Sequence, residues 1–459
     1  MTRRTRPRPG DLYAALTAAA LVGAAVLVGR RLQDTRHTLF VNWPPVLATW
    51  DPHLGPGTPA ALLLAAAVAA YGPALAGRLP WRALLAAAWG AATAWIFSLA
   101  LIDGWQRGIA GRLTTTGEYL QETDRFRDIP GTLRDFTHHI LLHSPDNWTA
   151  HVAGHPPGAT LTFVLLDRIG LRGGGWAGVW CVLTGATACL AVLVAVRALA
   201  GEHLARRAAP FLVLAPAAVW LGTSADGYFA AVAGWAVALL ALAVTARTAG
   251  RSAGCAAASG LLFGLTCYLS YGLTLMAVLG AAVLVLGRHR VRERPVLAAA
   301  LLAGLAVVPA AFALAGFDWW EAYRLLAVRY RQGVGGVRPY GYWVWANLAC
   351  AVLLTGLATA AGLRRTAAVL LRRRDGVRLA LLVAAALTAL LAADLSGMSK
   401  AETERIWLPF ALWLLPACAF LGLPRDAASA GTAETPVRAW LAAQAVLALL
   451  VNHLLLTGW

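Results

Sequence analysis

The sequence predicts an all-α integral membrane protein, a polytopic bundle of about thirteen transmembrane helices with juxtamembrane helices on its outer face. Two observations predict it. The chain's 459 residues are 59% hydrophobic and only 13% charged, where soluble domains carry about 25% charged residues. Mean hydropathy is +0.63. The apolar residues also form long runs, such as 59–77, 83–102, 228–246 and 295–316, each close to the roughly 20 residues a helix needs to cross a bilayer. These runs lack barrel alternation, and only helices or closed barrels satisfy the backbone inside lipid.

The spans are expected at 12–29, 59–77, 81–102, 174–198, 208–224, 228–246, 253–270, 272–288, 295–316, 341–362, 379–393, 406–422 and 439–456. The first follows Arg3, Arg4, Arg6 and Arg8 and precedes no small-residue cleavage site, so it reads as a signal anchor. With the N-terminus inside, the cytoplasmic loops are 78–80, 199–207, 247–252, 289–294, 363–378 and 423–438, and each holds arginine. Segment 157–171 is short and carries Asp167 and Arg168. Counted as a span it would put the later arginine loops outside, so it reads as a juxtamembrane helix on the outer surface. Residues 425–436 read as a linker.

The net charge of +17 is carried almost wholly by arginine, Lys400 being the only lysine. Because the arginines cluster between apolar runs, they fit membrane anchoring and not nucleic-acid binding. The six cysteines lie in or beside apolar segments without metal-like spacing, as small core residues do. The whole of 1–459 reads as one transmembrane domain. Its outer face receives 30–58, the loop 103–173 with its juxtamembrane helices, and the Arg/aromatic loop 317–340, and most acids and histidines outside the spans collect there.

Five outer-face features carry possible chemistry. Asp103, in LIDGWQRG, ends the third run at the lipid–water boundary, where partial burial suits a general base; a plain Asp-Gly turn is the bland alternative. The stretch from Glu118 to His155 is rich in acids and histidines, and its segment 132–143 reads as an amphipathic surface helix with Leu133, Phe136, Ile140 and Leu141 inward. It holds no HExxH pattern and no metal site is expected, while His155-Pro156-Pro157 fixes His155 near the bilayer edge. Asp226 lies in the turn SADG between two apolar runs, where an acid is costly unless used or capping a helix. In 317–343, Arg338 and Tyr340 belong to a set of arginines and aromatics suited to phosphates and sugar faces, or to lipid headgroups. Glu404 and Arg405 precede IWLPF; Arg405 at a helix start opposes the helix dipole, which a bound phosphate or a salt bridge to Glu402 or Glu404 would offset.

The order of these parts, from residue 81 to 422, resembles the GT-C superfamily of membrane glycosyltransferases. That superfamily includes protein O-mannosyltransferases, aminoarabinose transferases and the catalytic subunit of oligosaccharyltransferase. The shared order is an outer acid after a span (Asp103), a long loop with surface helices, His-Pro-Pro at 155–157, an acid after a later span (Asp226) and a late outer arginine at a helix start (Arg405). Within the superfamily the chain looks most like actinobacterial envelope enzymes of the methylthioxylose transferase group. Two additional spans precede Asp103, Gly104 stands where a second acid is usual, and no long soluble C-terminal domain follows. Asp34 and Asp51 therefore stay open as alternatives for the base.

The resemblance implies an inverting sugar transfer at the extracytoplasmic face of the cell membrane, from a polyprenyl-phosphate donor to an envelope glycan or glycolipid. It implies Asp103 as the catalytic base. Arg405 and Arg338 would hold the phosphate, and Glu118, His155, Asp226, Tyr340 and Glu404 would complete the substrate site. No cofactor is expected, although Asp226 leaves room for a divalent cation. A transporter or flippase for lipid-linked saccharides is the alternative; it would place ionisable groups inside the spans, which here are nearly free of charge.

Overall fold

A computed structural model describes residues 8–373, 375–421 and 434–458. Arg3, Arg4, Arg6, Arg374 and residues 425–433 of the expected linker lie outside the described residues; 434–436 open a helix. Among the described residues, nine helices are long and apolar enough to cross a membrane, or ten if one bent pair is a single span. They are Pro9–Arg36, Thr58–Arg78, Trp81–Asp103, Gly173–Ala200, Ala225–Thr245, Ala249–Leu269, Pro295–Leu314, Val377–Leu395 and Val437–Leu454.

Four of the thirteen expected spans are not single straight helices. Segment 208–224 breaks after Glu202–Val213 and resumes as Ala218–Leu221, because Pro216 between them has no N–H to give and a ring that crowds the preceding turn. Prolines 409 and 416 fragment 406–422 in the same way, into Leu408–Ala411 and a 3-10 turn Leu415–Phe420. Segment 272–288 opens as 3-10 helix over Tyr271–Met276, leaving ten α-helical residues in Ala277–Leu286. Segment 341–362 is the bent pair: Tyr340–Thr355 and Leu357–Arg372 meet at 105°.

Gly356 makes that bend at φ +82°, in the left-handed region that glycine tolerates. The Gln444 amide braces the corner, donating to Thr355 O at 2.7 Å and accepting from Ala358 N at 3.4 Å. A Cβ on residue 356 would collide with that amide. We expect Gly356→Ala to cost about 1–3 kcal/mol, read as a lower unfolding temperature of the purified protein with secondary structure unchanged.

Helix Ala225–Thr245 is the centre of the bundle, its most apolar stretch 78% buried. Small residues let its neighbours approach closely, as is usual where lipid tails leave no hydrophobic drive between helices. A Cβ on Gly185 would stand 3.2 Å from the Gly227 carbonyl carbon. Helices Ala249–Leu269 and Pro295–Leu314 pack reciprocally: a Cβ on Gly260 would strike Leu301 O, and one on Gly304 would strike Ala257 O. Large apolar side chains such as Leu63, Leu302 and Leu314 face outward from the bundle.

The bundle has two chemically different ends. At one, arginines cap helix C-termini by donating to their free carbonyls. Arg206 donates to Ala76 O and Leu79 O at 2.7 and 2.8 Å, and Arg294 to Ala246 O at 3.2 Å. Arg364 and Arg365 both bind the buried Asp11, tying the start of Pro9–Arg36 to Leu357–Arg372. At the other end lie the loops 103–173 and 317–340. Segment 157–171 forms helix Gly158–Arg168, whose 11 residues rise about 16 Å, too short for a bilayer core of about 30 Å. The amphipathic segment is helical only over Ile129–Asp135, followed by a 3-10 turn Phe136–His139. Leu133, Phe136 and Ile140 are buried as expected, while Leu141 is half-buried. Arg329, in helix Trp319–Gln332, clamps the two loops by donating to Ile140 O at 2.8 Å and Trp148 O at 3.0 Å.

A feature without a sequence signal closes this end. Strand Ala48–Trp50 pairs antiparallel with Leu455–Thr457, joining the first outer loop to the C-terminal segment. The ladder continues through Asp51 N to Leu454 O and His53 N to His453 O.

Candidate active site

Asp103 sits in the 3-10 turn Leu101–Asp103 that ends helix Trp81–Ala100, and Gly104 at φ +78° lets the chain leave sharply. Its Oδ1 lies 2.8 Å from His53 Nε2, and its Oδ2 accepts from the Arg112 guanidinium at 2.8 Å. His53 Nδ1 is 2.6 Å from Asp51 O. An imidazole placed between a carbonyl and a carboxylate donates to both when protonated. Arg112 also donates to Thr457 O at 2.9 Å, so the strand pair is part of what fixes this cluster. Each carboxylate oxygen keeps one further lone pair for a substrate proton.

A second network surrounds Arg405, in the short turn Thr403–Ile406 before Leu408. Its Nη1 donates to Asp226 Oδ2 at 2.6 Å; its Nη2 lies 3.2 Å from His151 Nε2 and 3.5 Å from Glu402 Oε2. His151 Nδ1 lies 3.1 Å from Glu118 Oε1. Arginine only donates, so His151 Nε2 accepts and the ring proton sits on Nδ1, facing Glu118. Glu402 Oε1 is 3.4 Å from Arg338, which also donates to Leu39 O and Lys400 O. Asp226, in the first turn of Ala225–Thr245, has a carboxylate suited to the positive end of that helix.

Burial shapes the electrostatics. It opposes ionisation of Glu118 and Glu402, but the donors beside them outweigh it and hold both carboxyls below the usual range. For Glu118 those are the His151 ring N–H and the Arg405 guanidinium, and for Glu402 the guanidiniums of Arg405 and Arg338. Burial lowers His155 to about 4, so its ring is neutral at pH 7, with Nδ1 2.8 Å from the carbonyl of His151. Tyr119 stacks between His151 and Phe163, at 5.7 and 5.5 Å between ring centroids. Among the described residues its hydroxyl and that of Ser224 find no hydrogen-bond partner, a costly state that a polar ligand or water would relieve.

The expected site residues therefore sort into three groups. Glu118, Asp226, Arg338 and Arg405 belong to one network, with His155 against Tyr119 at its edge. Asp103 belongs to the other cluster. Glu404 and Tyr340, expected to complete the substrate site, join neither network. Glu404 turns away from Arg405, and its Oε1 accepts from Leu47 N at 2.9 Å. Tyr340 is exposed and donates to Leu395 O at 3.3 Å. Neighbouring residues on one helical turn point about 100° apart, so Glu404 and Arg405 face different surroundings. The pairing of Asp103 and Arg405 is also less direct than a shared pair: each is held in its own ion network. The two networks share one end of the bundle, because 222–226 packs on 100–108. There Thr223 Oγ1 donates to Gly108 O at 2.8 Å. Of the alternative bases, Asp34 is exposed, and Asp51 pairs loosely with Arg107 at 3.5 Å. Among the described residues no group of three or more His, Cys, Asp or Glu is arranged to hold a metal ion.

Burial raises the Glu404 carboxyl to about 7. A raised value means that its contribution to stability is complete below about pH 4, where the unfolded carboxyl also keeps its proton, and is lost as pH rises through about 7. We expect Glu404→Gln to remove this decline, so that its unfolding temperature falls less than the wild type's between pH 5 and pH 8.

No family model matches the chain, and no curated protein does. Among solved structures it is similar to ArnT from Cupriavidus metallidurans bound to undecaprenyl phosphate. Identity is 15% and the TM-score 0.45, over 74% of this chain and 60% of that one. It is similar also to the apo Archaeoglobus fulgidus oligosaccharyltransferase, at 13% identity and TM-score 0.44, over 80% of this chain and 56% of that one. The chain thus spans 60% or less of the length of these proteins. A likeness this loose carries no argument about activity.

Proposed function

We propose that the chain is a membrane glycosyltransferase that moves a sugar from a polyprenyl-phosphate donor to an envelope glycan or glycolipid. The observation that carries this reading is the buried Arg405 network, with the Tyr119 hydroxyl beside it unpartnered among the described residues, on the same end of the bundle as Asp103. A buried guanidinium beside a lipid-facing bundle suits a phosphate that arrives on a lipid tail. The positive-inside trend supports reading the arginine-capped end as cytoplasmic and this end as outer.

In the proposed reaction the acceptor hydroxyl oxygen attacks the anomeric carbon. The bond from that carbon to the phosphate oxygen breaks, and the leaving polyprenyl phosphate keeps the electron pair. Asp103 takes the hydroxyl proton, and attack opposite the leaving group inverts the anomeric centre. Arg405 and Arg338 offset the charge that grows on the phosphate, most effectively away from water. No cofactor enters the scheme.

Glu402 has a particular place in it. Its carboxylate lies between the two guanidiniums at 3.4 and 3.5 Å, longer than the 2.7–2.9 Å of a strong charge-assisted bond. It is held at φ +61° and is partly exposed. In this reading it stands where the donor phosphate binds and is displaced by it. Glu402→Ala is then expected to lower the KM for donor several-fold, with kcat changed much less; a raised KM would show that Glu402 supports the site instead. The assay is release of polyprenyl phosphate from a synthetic polyprenyl phosphate sugar by protein in liposomes. Movement of the intact lipid between leaflets without cleavage would favour the flippase alternative.

A further inference from the structure

A cavity of about 190 Å³ lies in the outer loops, lined among others by Thr114, Gln121, Thr123, Phe163, Leu166 and Asp167. That is room for several waters or one small ring. Its lining has two characters. Phe163 and Leu166 are buried apolar groups on helix Gly158–Arg168. Most of the polar groups have spent hydrogens on the backbone, while the Gln121 amide keeps one N–H. Thr114 Oγ1 donates to Gly111 O at 2.9 Å, Thr123 Oγ1 to Leu120 O at 3.2 Å and Gln121 Nε2 to Thr114 O at 2.5 Å. Asp167 already accepts twice from Arg172, at 2.6 and 3.1 Å. What remains for a guest is a set of hydroxyl and carboxylate acceptors, with one Gln121 amide N–H, against an apolar wall. The complementary guest has hydroxyl donors around its edge and a C–H face.

Position adds to the chemistry. Thr114 shares the turn Arg112–Thr114 with the guanidinium that binds Asp103 at 2.8 Å. Phe163 stacks on Tyr119, which stacks in turn on His151 beside Arg405. The cavity is therefore joined to each network through intervening residues, Arg112 on one side and Tyr119 on the other.

We propose that this cavity is a subsite for a single saccharide ring, which on the transferase reading above belongs to the acceptor. Nothing in the donor scheme uses it. It should bind neutral sugars in the absence of any polyprenyl lipid, so it can be tested apart from the reading it rests on.

The experiment uses the full chain in phosphatidylcholine nanodiscs. The probes are methyl α-D-glucopyranoside, methyl α-D-mannopyranoside and methyl β-D-galactopyranoside, with hexanol as an apolar control. Hydrogen exchange is followed in residues 114–123 and 163–177. The expected result is sugar-dependent protection of both segments, weakened at least tenfold in Ala177→Phe, which fills the cavity from its wall. Gln121→Ala, a change at an exposed position that spares the packing, weakens it by a smaller factor. The proposal is overturned if no sugar protects the wild type, if hexanol protects as well as the sugars do, or if both variants keep wild-type protection. Polyprenyl phosphate binding, measured on the same samples, reports the donor site separately. Its loss with sugar protection intact would sink the transferase reading and leave the subsite standing.

Discussion

Asp103→Asn is expected to lower sugar transfer by about 10²–10⁴-fold, the usual contribution of a positioned base, while donor binding persists. The substitution is nearly isosteric. Asn keeps one acceptor oxygen, and Arg112 keeps its bond to Thr457 O at 2.9 Å. It still removes a charge from between His53 and Arg112, so unfolding temperature must be measured beside activity. The catalytic role predicts a fall in kcat with little change in the KM for donor. A purely structural role predicts a less stable protein whose folded fraction turns over normally. His53→Gln refines the comparison, since it leaves the carboxylate in place and removes only one partner, 2.8 Å away.

Arg405→Gln is expected to have the larger effect on the folded protein. Arg405, Asp226 and Glu118 are all buried, and removing one member of a buried pair leaves the other charge uncompensated, at a cost of about 3–5 kcal/mol. The double variant Asp226→Asn/Arg405→Gln removes both charges and should recover much of that loss. Activity should behave differently. A hydrogen bond to a charged group is worth about 1.5–3 kcal/mol, so donor affinity falls by about 10–100-fold per bond in the single variant and does not return in the double. Arg405→Lys keeps the charge but loses the planar fork, and should bind donor at an intermediate level. If the stable double variant transfers sugar normally, Arg405 is a structural ion pair and nothing more.

The parts of the fold that were legible from sequence follow from local chemistry. A run such as 228–246 has one stable solution in lipid, and helix Ala225–Thr245 is where it was expected. Charge parity, shortness and the Asp167–Arg168 pair assigned 157–171 to a surface, and the short helix Gly158–Arg168 is of a length that cannot span. The failures came where single residues override an apolar run. Pro216, Pro409 and Pro416 interrupt segments that hydropathy alone reads as continuous, and Gly356 turns one span through 105°. The strand pair between 48–50 and 455–457 has three residues a side, too few for any periodic signal, and its partners lie some 400 residues apart.

The candidate site shows the same division. Acids and arginines at span ends were visible because lipid makes charge there expensive, which marked Asp103, Asp226 and Arg405. Which of them would pair was not visible. His53 and Arg112 drew no attention, since neither sits in a motif, and their importance lies in the carboxylate they meet. His151 stood among several histidines of the outer loop; its spacing of four from His155, one helical turn, was the available signal. Glu404 was grouped with Arg405 because the two are adjacent in sequence, and helical geometry carried it to Leu47 instead.

The most direct test is cleavage of a synthetic radiolabelled polyprenyl phosphate sugar by the purified chain in liposomes, with envelope glycan extract as acceptor. The account predicts that the wild type releases polyprenyl phosphate and labels the acceptor, whereas Asp103→Asn and the folded Asp226→Asn/Arg405→Gln variant do neither. Labelling of acceptor at the wild-type rate by either variant would contradict it.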